Sequence, residues 1–193
     1  MYYTRSVTAR FLSLLKQFPA VVVSGARQVG KSTFLGRTLG GRADFVVFDP
    51  VLDVENARAE PELFVENHRT PLVLDEVQYA PELLPSLKRR IDRHRRPGLY
   101  ILTGSQQWGV MKSVAESLAG RVAFVDLDGF SCLEAARQTK ARSWLEAWLA
   151  SPAAVIRSGV RRPKHIHPLN ERLWRGWLPE AHFLARKSIS DFW

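Results

Sequence analysis

Short apolar runs bounded by turn residues alternate along this chain with stretches whose apolar positions recur every three or four residues. That is the pattern of buried strands separated by amphipathic helices. Phe11, Leu14, Leu15 and Phe18 fall at helical spacing within residues 10–18, which predicts a helix that Pro19 ends. Ala20 to Val23 reads as the first strand, and a helix is expected from Lys31 to about Leu39, stopped by Gly40-Gly41. Phe45 to Asp49 reads as the second strand, closed by the Asp49-Pro50 pair, and Pro61 to Asn67 as a short helix opened by its proline. Leu72-Val73-Leu74 is an apolar strand ending in two acids. Pro81 to His94 sets Leu83, Leu84, Leu87 and Ile91 on one helical face, with Pro81 and Glu82 in its first turn. Leu99 to Ser105 and Val122 to Val125 read as the fourth and fifth strands. Between them, the capping box Ser113-Val114-Ala115-Glu116 predicts a helix start, with Gly120 as its stop. A second capping box, Ser131-Cys132-Leu133-Glu134, opens a helix expected to run to about Leu149, before Ser151-Pro152 breaks it.

The chain has 193 residues, enough for one α/β domain with its own core and a short appendage. From Ser151 onward the composition changes. Pro152, Gly159, Pro163, Pro168 and Gly176 punctuate it, Arg161-Arg162-Pro163-Lys164-His165 is a basic run, and Trp174, Trp177, Phe183, Phe192 and Trp193 are aromatic. The expected division is therefore residues 1–150 as the main domain and 151–193 as a linker and the start of a further domain. Cys132 is the single cysteine, which excludes an internal disulfide and suits a reducing compartment. No apolar run approaches the roughly 20 residues of a membrane span, and residues 1–17 lack a signal-peptide pattern, so a soluble cytoplasmic protein away from membranes is expected.

The net charge of +9 is concentrated in two places. One is Lys88, Arg89, Arg90, Arg93, Arg95 and Arg96; the other lies between Arg157 and Lys187. Such surfaces attract phosphate polymers, which makes nucleic acid a candidate partner. The first cluster also falls in the last turns of a helix, where the helix dipole favours cations, so a plain solvated face explains it equally.

The densest chemistry follows the first strand. Val21-Val22-Val23 runs into Ser24-Gly25-Ala26-Arg27-Gln28-Val29-Gly30-Lys31-Ser32-Thr33, a G-x-x-x-x-G-K-S pattern set between a strand and a helix. This is a P-loop: its glycines let successive N–H groups point into one anion-sized hollow at a helix N-terminus. Lys31 is expected to reach the β- and γ-phosphates of ATP, and the Ser32 hydroxyl to ligate Mg²⁺. An apolar strand carries charge at its carboxyl end, where the crevice of an open α/β sheet lies. Asp75 is accordingly expected to hold Mg²⁺ through water and Glu76 to polarise the water that attacks the γ-phosphate. Thr103 and Ser105 both end the fourth strand, and either hydroxyl could sense the γ-phosphate. Arg121 stands just before the fifth strand, as a candidate stabiliser of transition-state charge in its own subunit or a neighbour's, or as a surface arginine at a strand start. His165 and His167 have no Cys or acid spaced to complete a metal site and read as loop residues.

GARQVGKST, LVLDEVQYAPELLPSLKRRID, LTGSQQ and SLAGRVA occur in that order over about residues 10–136. Together they resemble the prokaryotic AAA-superfamily ATPases whose P-loop domain is followed by a C-terminal domain of unknown function. The resemblance implies a P-loop NTPase fold of the ASCE type: a parallel five-stranded sheet of order 5-1-4-3-2 flanked by helices, with the phosphate site between the first and fourth strands. It implies Gly25 to Ser32 as Walker A, Asp75 and Glu76 as Walker B, the strand ending at Thr103-Gly104-Ser105 as sensor 1, and Arg121 as a candidate arginine finger. Leu173 to Glu180 looks like the segment opening the family's C-terminal domain, so the chain is expected to be truncated at the entry to it, with a short helical extension and an uncovered aromatic tail.

The leading expectation is a Mg²⁺-dependent ATPase that converts hydrolysis into conformational change, possible as a homo-oligomer. The alternative is an ATP-dependent nucleic-acid-binding switch with little hydrolysis. A small-molecule kinase shares the P-loop, but Glu76 beside Asp75 favours water as the acceptor and no acceptor pocket is legible.

Overall fold

A computed structural model describes residues 2–49, 54–104, 108–159 and 167–192. It divides into two units, one from Val7 to Asp128 and one joining Met1–Ser6 to Gly129–Trp193.

The first unit runs α1 (Thr8–Leu15), β1 (Ala20–Ser24), α2 (Lys31–Leu39), β2 (Asp44–Val47), α3 (Val54–Ala59), α4 (Pro61–Glu66), β3 (Leu72–Asp75), α5 (Leu83–His94), β4 (Tyr100–Gly104), α6 (Trp108–Ser117) and β5 (Val122–Asp126). Its five strands form one parallel sheet of order β2-β3-β4-β1-β5, the same order as 5-1-4-3-2 read from the other edge. The inner strands β1, β3 and β4 are buried at every position, as strands covered on both faces must be. The edge strands β2 and β5 alternate buried or half-buried with exposed residues.

Helices close the faces through the periodicity the sequence displays. α5 buries Leu83, Leu84, Leu87 and Ile91, and α2 buries Phe34, Leu35 and Leu39, with the Phe34 ring edge-on to Phe11 of α1 at 5.3 Å. Residues Pro81 and Glu82 lie just before α5 and not in its first turn. β2 ends at Val47, yet the Phe48 N–H still donates to the Asp75 carbonyl at 3.0 Å while its ring is buried.

Register sets the working edge of the sheet. Val23 and Ser24 stand beside Thr103 and Gly104 on one side and beside Val125 and Asp126 on the other, and Val47 stands beside Asp75. The carboxyl ends of the strands therefore line one edge, and the chain leaves β1 at the point where its successor crosses to the far side of β3.

Two helix expectations need correction. Ser113 and Glu116 do not open a helix: α6 starts at Trp108 and passes through them, because residues 108–112 already continue the helical repeat and leave no extended N-cap there. The helix opened by Ser131 ends at Ala135, after which Arg137 takes a left-handed backbone (φ 57°). A new helix begins at Trp144 with its own box, in which Ser143 Oγ accepts from the Glu146 N–H at 3.2 Å and Glu146 accepts from the Ser143 N–H at 2.7 Å.

The second unit thus contains α7 (Cys132–Ala135), α8 (Trp144–Ala150), α9 (Pro152–Ser158), α10 (Leu169–Arg175), α11 (Pro179–Phe183) and α12 (Ile189–Phe192). Arg5 and Glu134 form a buried ion pair at 3.2 Å, and Glu134 also accepts from the Ser6 N–H at 2.6 Å. Tyr3, Phe130, His182 and Phe183 pack ring against ring within it. Arg175 is buried and donates to Glu171 and to the Ala181 and Leu184 carbonyls, which ties α10 to α11. The aromatic tail stays partly open: Trp174 is exposed, and Phe183, though edge-on to the Tyr3 and Phe130 rings, is exposed as well. The basic run 161–165 and Trp193 lie outside the described residues.

Candidate functional site

The segment between β1 and α2 is shaped by two glycines. A Cβ on Gly25 would run into the Leu127 backbone carbonyl and approach Val29 Cγ2 to 3.1 Å, so only glycine lets the loop lie against the end of β5. Gly30 has φ 90° and stands at the N-cap of α2, where no side chain caps the first-turn N–H groups. Those donors and the helix dipole are left for an anion. Arg27, Gln28, Gly30, Lys31, Ser32, Thr33 and Glu76 line the hollow so formed, with a volume of about 160 Å³.

Lys31 is buried, and its Nζ donates to the Gly25 carbonyl at 3.0 Å and the Ala26 carbonyl at 3.2 Å. It also lies 3.9 Å from Glu76 Oε1. A buried ammonium needs such acceptors, and here they come from the same loop that would surround a phosphate.

Asp75, 2 % exposed, accepts from Ser32 Oγ at 2.5 Å on one oxygen and from Thr103 Oγ1 on the other. The Thr103 hydroxyl accepts in turn from the Glu76 N–H at 3.0 Å. Thr103 is thus joined to both acids. Ser105, the other sensor candidate, lies outside the described residues. Glu76 adopts a left-handed backbone (φ 59°, ψ 49°), which turns the chain into a 3-10 turn at Val77–Tyr79. The Ser32 hydroxyl and Asp75 carboxylate form a hard oxygen pair of the kind Mg²⁺ takes.

Arg121 is elsewhere. It precedes β5, its carbonyl accepts from the N–H of Ala20 at the start of β1, and the P-loop leaves β1 at the opposite end. The length of β1, about 16 Å at a strand's rise per residue, therefore separates it from the hollow. Its guanidinium clamps Asp92 in two-pronged fashion, at 2.6 and 3.0 Å. That hydrogen bond lowers the Asp92 carboxyl below its ordinary range and raises the guanidinium.

Sequence reasoning passed over two polar groups at this edge. Ser24 Oγ donates to Asp126 at the end of β5, and Gln78 Nε2 donates to Glu76 Oε2 at 2.5 Å. For Gln78 the available signal was its place two residues after the acid pair; for Asp126 there was none, since its partner is set by strand register. Of the basic residues on α5, Arg89 pairs with Glu62 at 2.5 Å and Arg90 with Glu66 at 3.1 Å; Lys88, Arg89 and Arg93 on the helix and Arg95 and Arg96 just past it are exposed. His167 lies 3.3 Å from Glu171, and His165 is outside the described residues.

A family model described as an AAA domain matches residues 17–136. Uncharacterized proteins of Mycobacterium bovis and Mycobacterium tuberculosis are each 34% identical over 155 residues, covering 80% of this chain and 35% of theirs. The chain thus spans about a third of the length of these curated relatives. Among solved structures, a Walker-type ATPase of Pyrococcus abyssi superposes with a TM-score of 0.50 at 18% identity, covering 72% of this chain and 57% of that one, a likeness of fold.

Proposed function

The chain belongs to the AAA-domain family, with a P-loop NTPase fold, and on that premise we propose that it binds Mg²⁺·ATP in the hollow before α2 and hydrolyses it. The observation that carries this reading is the convergence on Asp75: a hydroxyl from α2 and a hydroxyl from β4 meet on one buried carboxylate, next to a hollow that Lys31 and Glu76 line 3.9 Å apart. In this reading Lys31 leaves the Gly25 and Ala26 carbonyls for the β- and γ-phosphate oxygens, so the loop exchanges an internal cation contact for a ligand. Ser32 and Asp75 hold the magnesium, which neutralises charge on the phosphates when bound. Glu76, released from Lys31, accepts a proton from the attacking water as its oxygen bonds to the γ-phosphorus and ADP departs. Thr103 keeps the two acids in register and reports the γ-phosphate. Arg121 serves another chain's hollow, given its distance from its own.

Hydrolysis is proposed to move the elements at this edge and to pass that movement to an attached domain or partner. Glu76→Gln keeps the shape of the site and removes the base. Calorimetry should find ATP bound about as tightly as by the unaltered chain, while phosphate release falls by about 100-fold or more. Unchanged phosphate release would remove Glu76 from the reaction.

The exposed cations of α5 favour one other reading, a nucleotide-controlled nucleic-acid binder. Binding of a DNA or RNA oligonucleotide that weakens with salt and changes with ATP supports it, and no binding at low salt excludes it.

A further inference from the structure

Gln78 makes its one described side-chain hydrogen bond to the candidate base. The 3-10 turn after Glu76 folds Gln78 back over it, so that Gln78 Nε2 donates to Glu76 Oε2 at 2.5 Å. The amide orientation follows from its partner, because a carboxylate accepts and does not donate. The other amide atom, Oε1, is buried and has no hydrogen-bond partner among the described residues. A buried amide that forgoes its carbonyl bond is costly to the fold.

The turn does not need this bond. Its backbone is closed by the Tyr79 N–H on the Glu76 carbonyl at 3.1 Å and the Ala80 N–H on the Val77 carbonyl at 3.0 Å. Val77 anchors it in the core, and Arg58 holds it from outside through the Tyr79 carbonyl at 2.7 Å. Gln78 therefore acts on Glu76 and not on the turn. With Oε2 so held, the carboxylate presents its other oxygen, Oε1, to Lys31 at 3.9 Å and to the phosphate hollow that Glu76 lines.

We infer that Gln78 is a positioning residue for hydrolysis: by fixing Oε2 of Glu76 it aims Oε1 at the water that attacks the γ-phosphate, and it keeps that aim when Lys31 moves to the phosphates. This inference rests on the ATPase reading above. Gln78 itself does not line the hollow and need not touch nucleotide, so its loss should act on turnover and spare binding.

The experiment compares the full chain with Gln78→Ala, Gln78→Met, Glu76→Gln and Glu76→Gln/Gln78→Met, measuring ATP affinity by calorimetry and phosphate release under saturating and single-turnover conditions. Gln78→Met preserves side-chain volume, and retained ATP binding certifies its fold. Both single Gln78 variants are expected to bind ATP within about twofold of the unaltered chain and to lose about 10- to 100-fold in kcat with little change in KM. The double variant is expected to turn over no more slowly than Glu76→Gln alone, because Gln78 acts only through that carboxylate. In the nucleotide-free protein, one side-chain amide proton of Gln78 is expected to exchange slowly with solvent and to lose that protection in Glu76→Ala. Full kcat in Gln78→Met, an added loss in the double variant, or an unprotected amide would each overturn the positioning role while leaving the ATPase reading standing. An unaltered chain that neither binds nor hydrolyses ATP would overturn both.

Discussion

A carboxylate as deeply buried as Asp75 is tolerable only if its oxygens are bonded, and both bonds come from hydroxyls whose positions other elements decide, Ser32 on α2 and Thr103 on β4. Glu76 next to it takes a left-handed backbone without being glycine, a strain of about 1–3 kcal/mol that a site holds when its neighbours over-determine it. Neither feature is visible in Leu72-Val73-Leu74-Asp75-Glu76 as a string. The string shows an apolar strand ending in acids, and so names the residues, but the hydroxyls they meet lie dozens of positions away. A residue outside this site carries the pH prediction. Burial first, and then His167, Arg175 and Arg137, hold His182 below its ordinary value of 6.5. As pH falls, the unfolded chain takes up this proton before the folded one does. The contribution of neutral His182 is therefore full above the unfolded value and is lost as pH drops toward the folded one. Histidine ring NMR should find the His182 midpoint below that of an exposed histidine, and denaturant midpoints of the Met1–Ser6 and Gly129–Trp193 unit should fall between about pH 7.5 and 5.5, less so in His182→Phe.

Elements follow from patterning where one face is apolar and the boundary residue is decisive. α2 begins and ends where Gly30 and Gly40-Gly41 require, and α5 presents the predicted leucine face. The pattern misled at two capping boxes, in opposite ways. S-x-x-E signals a start only when the preceding residues are not already helical, which hides the boundary at Ser113, and a box overlooked at Ser143 merged two helices into one. The P-loop also depends on contact between elements. Gly25 lies against the Leu127 carbonyl just past β5, so Gly25→Ala pushes the loop off the strand end. Urea unfolding should register a loss of about 1–3 kcal/mol, and calorimetry a weaker grip on ATP than a change confined to the loop surface would cause.

Over the whole Val7–Asp128 unit, the parallel sheet puts β1, β3, β4 and β5 with their carboxyl ends at one edge, and it puts Arg121 at the other. On the ATPase reading, an arginine there would act on the triphosphate of a second copy. Phosphate release per chain should rise with protein concentration for the unaltered protein and stay flat and low for Arg121→Ala, and mixing that variant with Lys31→Ala should restore part of the activity. A rate independent of concentration, and equal in both, would confine Arg121 to its clamp on Asp92. Glycine spacing, the lysine, the acid pair and the helical and strand periods are local properties, so the amino-acid sequence by itself determined the fold class, the strand order through its resemblance, and the residues that meet at the hollow. The tertiary structure alone decided that Thr103 joins the Asp75 carboxylate to the Glu76 N–H, that Gln78 turns back onto Glu76, and that Arg121 lies at the end of β1 opposite the hollow, clamped on Asp92. Those partnerships are set by parallel strand register and crossover geometry, which join positions with no spacing in common along the chain.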